Sequence, residues 1–198
     1  METLSRDMRM VRSAETRFKT REDSGELRIE GYFAVFNSNY EIWDGYTESI
    51  APGAFAASLG GDVRALVNHD TTLVLGRTTA GTLELREDDT GLWGSILINP
   101  NDQDAMNIYS RVSRGDVNQC SFGFEIEDEE MEHSVNGSVH WTIRKVRLFE
   151  VSCCTFPAYE ETSIAARKKD ADAARQRSLE GWREKTIKRL KEVTGKWH

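Results

Sequence analysis

The segment "NQCSFGFEI", residues 118–126, carries the alternation that decides the fold class. Successive side chains of a β-strand point to opposite faces. The apolar face here holds Cys120, Phe122, Phe124 and Ile126, and the other face holds Ser121, Gly123 and Glu125. The pattern therefore predicts a strand that buries the Cys120 thiol and exposes the Ser121 hydroxyl on its less apolar side. Both a nucleophilic serine and an ordinary amphipathic strand fit this pattern.

A second strand is predicted in "VRLFEVSCCTF", residues 146–156. Alternation assigns one face of it to Val146, Leu148, Glu150, Ser152 and Cys154. Both faces are largely apolar, which indicates a central strand with a carboxylate in its middle. Burying an unpaired carboxylate is costly. Glu150 therefore needs a partner, either a structural arginine or a histidine that it orients.

His69 follows a short apolar strand in "RALVNHDTTLVLGR", residues 64–77. One interpretation is a surface histidine at the end of a strand. The other is a general base that a rigid strand holds where substrate can reach it. With Glu150 behind it, His69 would belong to a serine–histidine–acid arrangement that includes Ser121.

The remaining pattern is mainly β with a few helices. Further strand-like segments occupy residues 26–36, 62–68, 81–88, 91–98 and 138–145. The two segments between 81 and 98 form a hairpin, because Asp88 to Gly91 has the composition of a turn. Helices are predicted over 52–59 and over 101–115, the second with Asn101 as N-cap and Gly115 as C-cap.

Charge divides the chain of 198 residues into two parts. The first 160 residues carry 15 Lys and Arg against 27 Asp and Glu, whereas residues 161–198 carry 11 against 6. The sequence therefore predicts a domain over 1–160, with its core in 26–160, and a basic helical tail over 161–198. An acidic body argues against direct nucleic-acid binding, and the basic tail could meet an acidic partner.

Several signals of other protein classes are missing from the sequence. No apolar run approaches the roughly 18 residues of a membrane span, and the N-terminus lacks the apolar core of a secretory signal. The 3 cysteines do not form a disulfide framework, which favours a reducing, cytoplasmic setting. Neither a metal-ligand spacing nor a phosphate-binding glycine motif occurs. We therefore expect no metal and no cofactor.

Four segments, taken in order, resemble a known family. They are "ESIAPGAFAASL" (48–59), the "NHD…GR" segment that holds His69, "CSFGF" (120–124) and "LFEVSCCTFPAY" (148–159). This series resembles the prohead proteases of tailed bacteriophages, which are capsid maturation serine proteases related in fold to herpesvirus assemblins. The resemblance covers roughly residues 26–165. It implies a small closed β-barrel with helices packed around it, and a homodimer.

The resemblance also implies roles for particular residues. His69 matches the general base, Ser121 the nucleophile and Glu150 the acid that orients His69. Assemblins use a second histidine as the third member, so His140 stays an alternative to Glu150. The oxyanion would be held by backbone N–H groups or by an arginine, for which Arg77 is conceivable.

The family's enzymes cleave the scaffold portion of the major capsid protein, and then their own chain. They do so inside the assembling prohead in the host bacterial cytoplasm, so the resemblance implies the capsid protein as partner and substrate. The tail over 161–198 would then be scaffold-like or removed by self-cleavage. The alternative is a capsid-assembly or scaffold-binding module of the same fold without catalysis. A cysteine hydrolase that uses Cys120 is disfavoured, because the alternation places that thiol on the apolar face.

Overall fold

The structure is a computed structural model that describes residues 10–14, 18–23, 25–134 and 137–156, together with 176, 180–181 and 183–187. The chain divides into two units after residue 160. The described positions of the second unit are helical. The rest of the predicted tail lies outside the described residues, so a basic helical tail over 161–198 stays a prediction.

The described part of the first unit is mainly β. Its strands are β1 (Met10–Ala14), β2 (Lys19–Asp23), β3 (Glu26–Val35), β4 (Tyr40–Trp43), β5 (Tyr46–Ile50), β6 (Arg64–Val67), β7 (Asp70–Arg77), β8 (Leu83–Glu87), β9 (Gly91–Ile98), β10 (Gln119–His133) and β11 (Val139–Cys154). Its one described α-helix is α1 (Gln103–Arg114), and a short 3-10 turn covers Thr78–Ala80.

These strands form two sheets that enclose one hydrophobic core. The larger sheet has the order β1-β10-β11-β5-β4, with β6 paired to β11 and β7 paired to β6. The smaller sheet has the order β2-β3-β9-β8. Phe33 of the smaller sheet and Phe122 of the larger sheet both belong to the buried core. The Cys120 thiol reaches across the core and donates to the carbonyl oxygen of Tyr32 at 3.1 Å, which confirms that it faces inward.

The expectation of a closed β-barrel is wrong. In the smaller sheet β3 pairs with β2 and β9, and β9 pairs with β3 and β8, so β2 and β8 form the two edges. No ladder joins these edges to the larger sheet within the described ranges. A barrel requires a continuous hydrogen-bonded register around its circumference, and here the register stops at both edges. The result is two sheets packed through their side chains.

The segment between β5 and β6 supports the long strand β11. Both β5 and β6 run parallel to β11, along Val139 to Ile143 and along Glu150 to Cys153 respectively. The helix predicted over 52–59 is wrong, because these residues form successive turns with i to i+3 hydrogen bonds. Gly53, at φ 87°, adopts a left-handed conformation incompatible with a helix interior. The turns let Ala54 accept a hydrogen bond from the Val146 N–H at 3.0 Å.

The predictions for α1 and for the β8–β9 hairpin are confirmed, apart from the N-cap. Asp102, rather than Asn101, caps the helix, because its extended backbone lets its carboxylate accept from the N–H groups of Asp104 and Ala105. Gly115 ends the helix at φ 83°. The buried side chains of the helix are Ala105, Ile108 and Val112.

Candidate active site

A β-bulge in β11 sets the direction of Glu150. Gly123 of β10 lies opposite Glu150, but the next residue, Phe124, lies opposite Leu148, so Phe149 is the extra residue. An extra residue reverses the alternation beyond it. The expectation that Glu150 shares a face with Leu148 and Val146 is therefore wrong. Those two side chains pack in the core, whereas Glu150 lies on the opposite face, together with Gly123 and Ser121.

His69 occupies a strained hairpin turn. Val67 of β6 pairs with Asp70 of β7, and the two residues between them, Asn68 and His69, have φ of 49° and 63°. Positive φ at both central positions is typical of a type I′ turn, which usually contains glycine. The turn is tied to the end of β11, because the Asn68 N–H donates to the Cys153 carbonyl at 3.0 Å.

His69 and Glu150 form a close pair. The distance between Nδ1 of His69 and Oε1 of Glu150 is 2.7 Å. The Glu150 side chain is 1% exposed and the His69 side chain is 20% exposed. A carboxylate accepts hydrogen bonds, so this contact places a proton on Nδ1 and leaves Nε2 as the basic nitrogen of the neutral ring. The structure thus gives Glu150 the histidine partner that its burial requires.

Ser121 lies on the adjacent strand, on the same face as this pair. It is directly opposite Ser152 in the β10–β11 ladder, a position in which Cβ atoms are about 4.5–5.5 Å apart. The predicted exposure of Ser121 is wrong, since it is 0% exposed. The His69 ring does not hydrogen-bond to Ser121 in the described part of the chain; its Nε2 lies 3.8 Å from the Cys154 Sγ.

Two further residues of this face were not singled out from the sequence. The Ser152 hydroxyl donates to Oε2 of Glu150 at 2.7 Å and accepts the His69 backbone N–H at 3.2 Å. The Cys154 thiol faces Nε2 of His69, and burial above all raises its pKa to about 12. Both residues alternate with Glu150 along β11. Strand alternation was thus a signal that could have placed them beside the histidine.

The other candidates lie elsewhere in the fold. The ring nitrogens of His140 contact the hydroxyls of Thr47 and Ser49, at 2.7 Å and 2.8 Å. Arg77 forms two hydrogen bonds of 2.6 Å with the carboxylate of Asp62. The hydrogen bonds of His140 thus go to β5, and those of Arg77 go to Asp62.

A surface groove of about 480 Å³ adjoins the site, and Glu150 forms part of its wall. Leu66, Val74 and Phe149 supply apolar surface, and Arg64, Glu125 and Arg147 supply charge. Val74 is 46% exposed, whereas most large apolar side chains in the described part of the first unit are buried. The groove therefore offers a mixed apolar and charged surface next to the histidine–carboxylate pair.

Across the described ranges, no group of three or more His, Cys, Asp or Glu side chains is arranged to hold a metal ion. The described residues include no helix that is both long and apolar enough to span a membrane.

A mainly β fold with a histidine–carboxylate pair on the serine-bearing face of a sheet fits the class of serine peptidases. Residues 13–177 match the family described as caudovirus prohead serine protease. The chain belongs to this family, as the resemblance predicted. It is 31% identical over 172 residues to the prohead protease of Enterobacteria phage HK97, covering 85% of this chain and 72% of that protein.

Among solved structures, the bacteriophage T4 capsid assembly protease is similar, with a TM-score of 0.44 and 10% identity over 74% of this chain and 94% of that one.

Proposed function

We propose that this protein is a serine endopeptidase that cleaves the scaffold portion of the phage major capsid protein, and its own chain, inside the assembling prohead. Ser121 is the nucleophile, His69 the general base and Glu150 the acid that orients the base. The observation that carries the proposal is the 2.7 Å contact between His69 and Glu150 on the face of the sheet that holds Ser121. Family membership gives the class of reaction.

In this reaction the Nδ1–H of His69 stays bonded to Glu150, and Nε2 takes the proton of the Ser121 hydroxyl. The oxygen then attacks the carbonyl carbon of a peptide bond, and the protonated imidazole returns the proton to the leaving amine. A water molecule hydrolyses the acyl-enzyme by the same route. Catalytic hydrogen bonds commonly tighten only once substrate is bound. A rotation of the ring from Cys154 towards Ser121 on substrate binding is therefore part of the proposal.

Burial of Ser121 adds a requirement to this mechanism. The side chain is 0% exposed, so a peptide reaches it only after the atoms above it have moved. The groove beside Glu150 is where we place the polypeptide chain before that movement, because its wall includes a residue of the pair itself. Its apolar side chains would hold the substrate through burial of apolar surface.

Replacing Ser121 tests the proposal directly. The wild-type chain and Ser121→Ala are each expressed with the phage's major capsid protein, and the products are identified by mass spectrometry. We expect Ser121→Ala to lose cleavage by about 10⁴- to 10⁶-fold. If wild type and variant give the same uncleaved capsid protein, the alternative of a non-catalytic scaffold-binding module is correct. If Ser121→Ala still cleaves, Ser121 is not the nucleophile.

A further inference from the structure

We propose that Ser152 is a positioning residue. Its buried hydroxyl joins the Glu150 carboxylate to the His69 backbone, and so holds the base in the orientation and tautomer that the reaction needs. This inference rests on the proposed function of His69 and Glu150. The Ser152 hydroxyl bonds to the backbone N–H of His69 and not to a ring nitrogen, and it does not contact the substrate in the proposed mechanism.

Both contacts of the Ser152 hydroxyl are directional. The side chain is 0% exposed, so water cannot replace its partners. Its Oγ–H donates to Oε2 of Glu150 at 2.7 Å, and its oxygen accepts the His69 N–H at 3.2 Å. A hydroxyl has a single proton to donate. That proton points to the acid rather than to the imidazole, which separates Ser152 from a nucleophile that His69 could activate.

The first contact fixes the carboxylate. Oε1 of Glu150 accepts a hydrogen bond from Nδ1–H of His69, and Oε2 accepts one from the Ser152 hydroxyl. The two oxygens are therefore held by two different partners. Rotation of the carboxylate about its terminal bond would break both hydrogen bonds. With Oε2 accepting from Ser152, Oε1 is left to accept from the Nδ1–H of His69, so the unprotonated nitrogen of the neutral ring is Nε2.

The second contact fixes the backbone from which the ring extends. His69 adopts φ of 63°, a conformation that is unfavourable for residues other than glycine and persists only when its surroundings hold it. The Ser152 oxygen accepts the N–H of this residue, while the Asn68 side chain accepts the Thr155 N–H at 2.9 Å. The hairpin turn is thus attached to β11 at Ser152 and to Thr155, just beyond the end of that strand.

The chain offers a matched control in Ser58. Its hydroxyl is also buried, at 8% exposure, and it too combines one donated and one accepted hydrogen bond on β11. It donates to the Val146 carbonyl at 2.8 Å and accepts the Leu148 N–H at 3.0 Å. Its two partners are core-side residues before the bulge. Removing this hydroxyl therefore reproduces the loss of a buried bridge without touching His69 or Glu150.

The experiment compares Ser152→Ala, Ser152→Cys and Ser58→Ala in the full chain, with the purified uncleaved capsid protein as substrate. We expect both Ser152 variants to lower kcat by about 10- to 100-fold and to leave KM nearly unchanged, because small displacements of a base cost this much. Ser58→Ala should lower Tm about as much as Ser152→Ala does, but it should keep the wild-type kcat. The ¹⁵N shifts of the His69 ring should show less of the Nδ1–H tautomer in the Ser152 variants alone.

Equal kcat in Ser152→Ala and Ser58→Ala, with an unchanged His69 tautomer, overturns the inference. A loss as complete as that of Ser121→Ala also overturns it, since Ser152 would then be a catalytic residue. If Ser152→Ala does not fold, Ser152→Cys alone tests the positioning role. A thiol is close in size to the hydroxyl it replaces and is a weaker hydrogen-bond donor. The tautomer is measured without substrate. A tautomer change in a protein that cleaves nothing refutes the proposed function and keeps the positioning role.

Discussion

Two histidines of the first unit, His69 and His140, differ in what their rings contact. Both nitrogens of His140 meet hydroxyls, at 2.7 Å and 2.8 Å. His69 has a carboxylate at Nδ1, 2.7 Å away, and a thiol 3.8 Å from Nε2. Hydroxyls are good hydrogen-bond partners and a thiol is a weak one. His140 is therefore fully engaged, whereas Nε2 of His69 keeps a lone pair for base chemistry.

The backbone conformation also distinguishes the two histidines. His140 lies in a regular part of β11, beside the stacked rings of Tyr46 and Trp141, whose centroids are 6.0 Å apart. His69 lies in a left-handed turn at φ 63°. Strained conformations concentrate at functional sites. Ring contacts and backbone strain, more than the sequence around each histidine, therefore separate the candidate catalytic residue from the structural one.

The largest expected difference is between His69→Ala and His140→Ala. We expect His69→Ala to lower cleavage of the capsid protein by about 10⁴- to 10⁶-fold. His140→Ala should keep activity within about tenfold and lower the free energy of unfolding by about 1–3 kcal/mol, because the buried hydroxyl of Ser49 and the half-buried hydroxyl of Thr47 lose their partner. Cleavage assays and urea unfolding of both variants measure this. Similar losses of activity in the two variants would show that the ring contacts of His69 and His140 do not separate a catalytic histidine from a structural one.

The role of the carboxylate at Nδ1 is tested by Glu150→Gln. An amide at this position can donate to Nδ1 and so select the tautomer with its proton on Nε2, which is unable to act as a base. A loss of about 10⁴-fold in kcat is expected. Glu130→Gln is the control, since Glu130 lies in the exposed part of β10 and pairs with Arg144. Full activity in Glu150→Gln would show that the carboxylate does not orient His69.

Much of the site could be predicted from alternation, and the part that failed depends on pairing between strands. The pattern of "NQCSFGFEI" correctly placed Cys120 in the core and Ser121 on the other face. The alternation of "VRLFEVSCCTF" wrongly grouped Glu150 with Leu148, because the bulge at Phe149 exists only through the register with β10. A single sequence does not show where a ladder accommodates an extra residue.

Burial and local conformation set a second limit. The need of Glu150 for a partner followed from the cost of a buried carboxylate, but a contact across 81 residues required the fold. The burial of Ser121 depends on what packs over the sheet face and not on the alternation of its strand. The turn at Asn68 and His69 contains no glycine, so the usual signal of positive φ was missing. The turns over 52–59 replaced the predicted helix for a similar local reason, at Gly53.

The thiol near Nε2 gives a smaller effect. Burial raises the pKa of Cys154 to about 12, so the thiol is neutral at pH 7–8 and a poor nucleophile. We expect Cys154→Ala to change kcat by less than about tenfold, or about 1.4 kcal/mol, and iodoacetamide at pH 7.5 to leave the native enzyme active. Cys120→Ala is the comparison on the core face. Complete loss of cleavage in Cys154→Ala alone would make this thiol, rather than Ser121, the nucleophile.

The smallest expected effect concerns the open end of the β6–β7 hairpin, opposite the turn that holds His69. Arg77 donates two hydrogen bonds to Asp62 and holds the pKa of this carboxyl well below its usual range. A lowered pKa stabilises the folded state above the unfolded value of about 3.9, and this contribution is lost as the pH falls towards the folded pKa.

Asp62→Asn should therefore be less stable than wild type at pH 7, and the difference should shrink between pH 4 and pH 2. Both side chains of the Arg77–Asp62 pair are substantially exposed, so the difference is small and decreases with added salt. Urea unfolding across this pH range measures it. Cleavage at pH 7 should equal that of wild type, because the turn at His69 is attached to β11 independently of Asp62. A matching fall in activity would show instead that the open end of the hairpin helps to position His69.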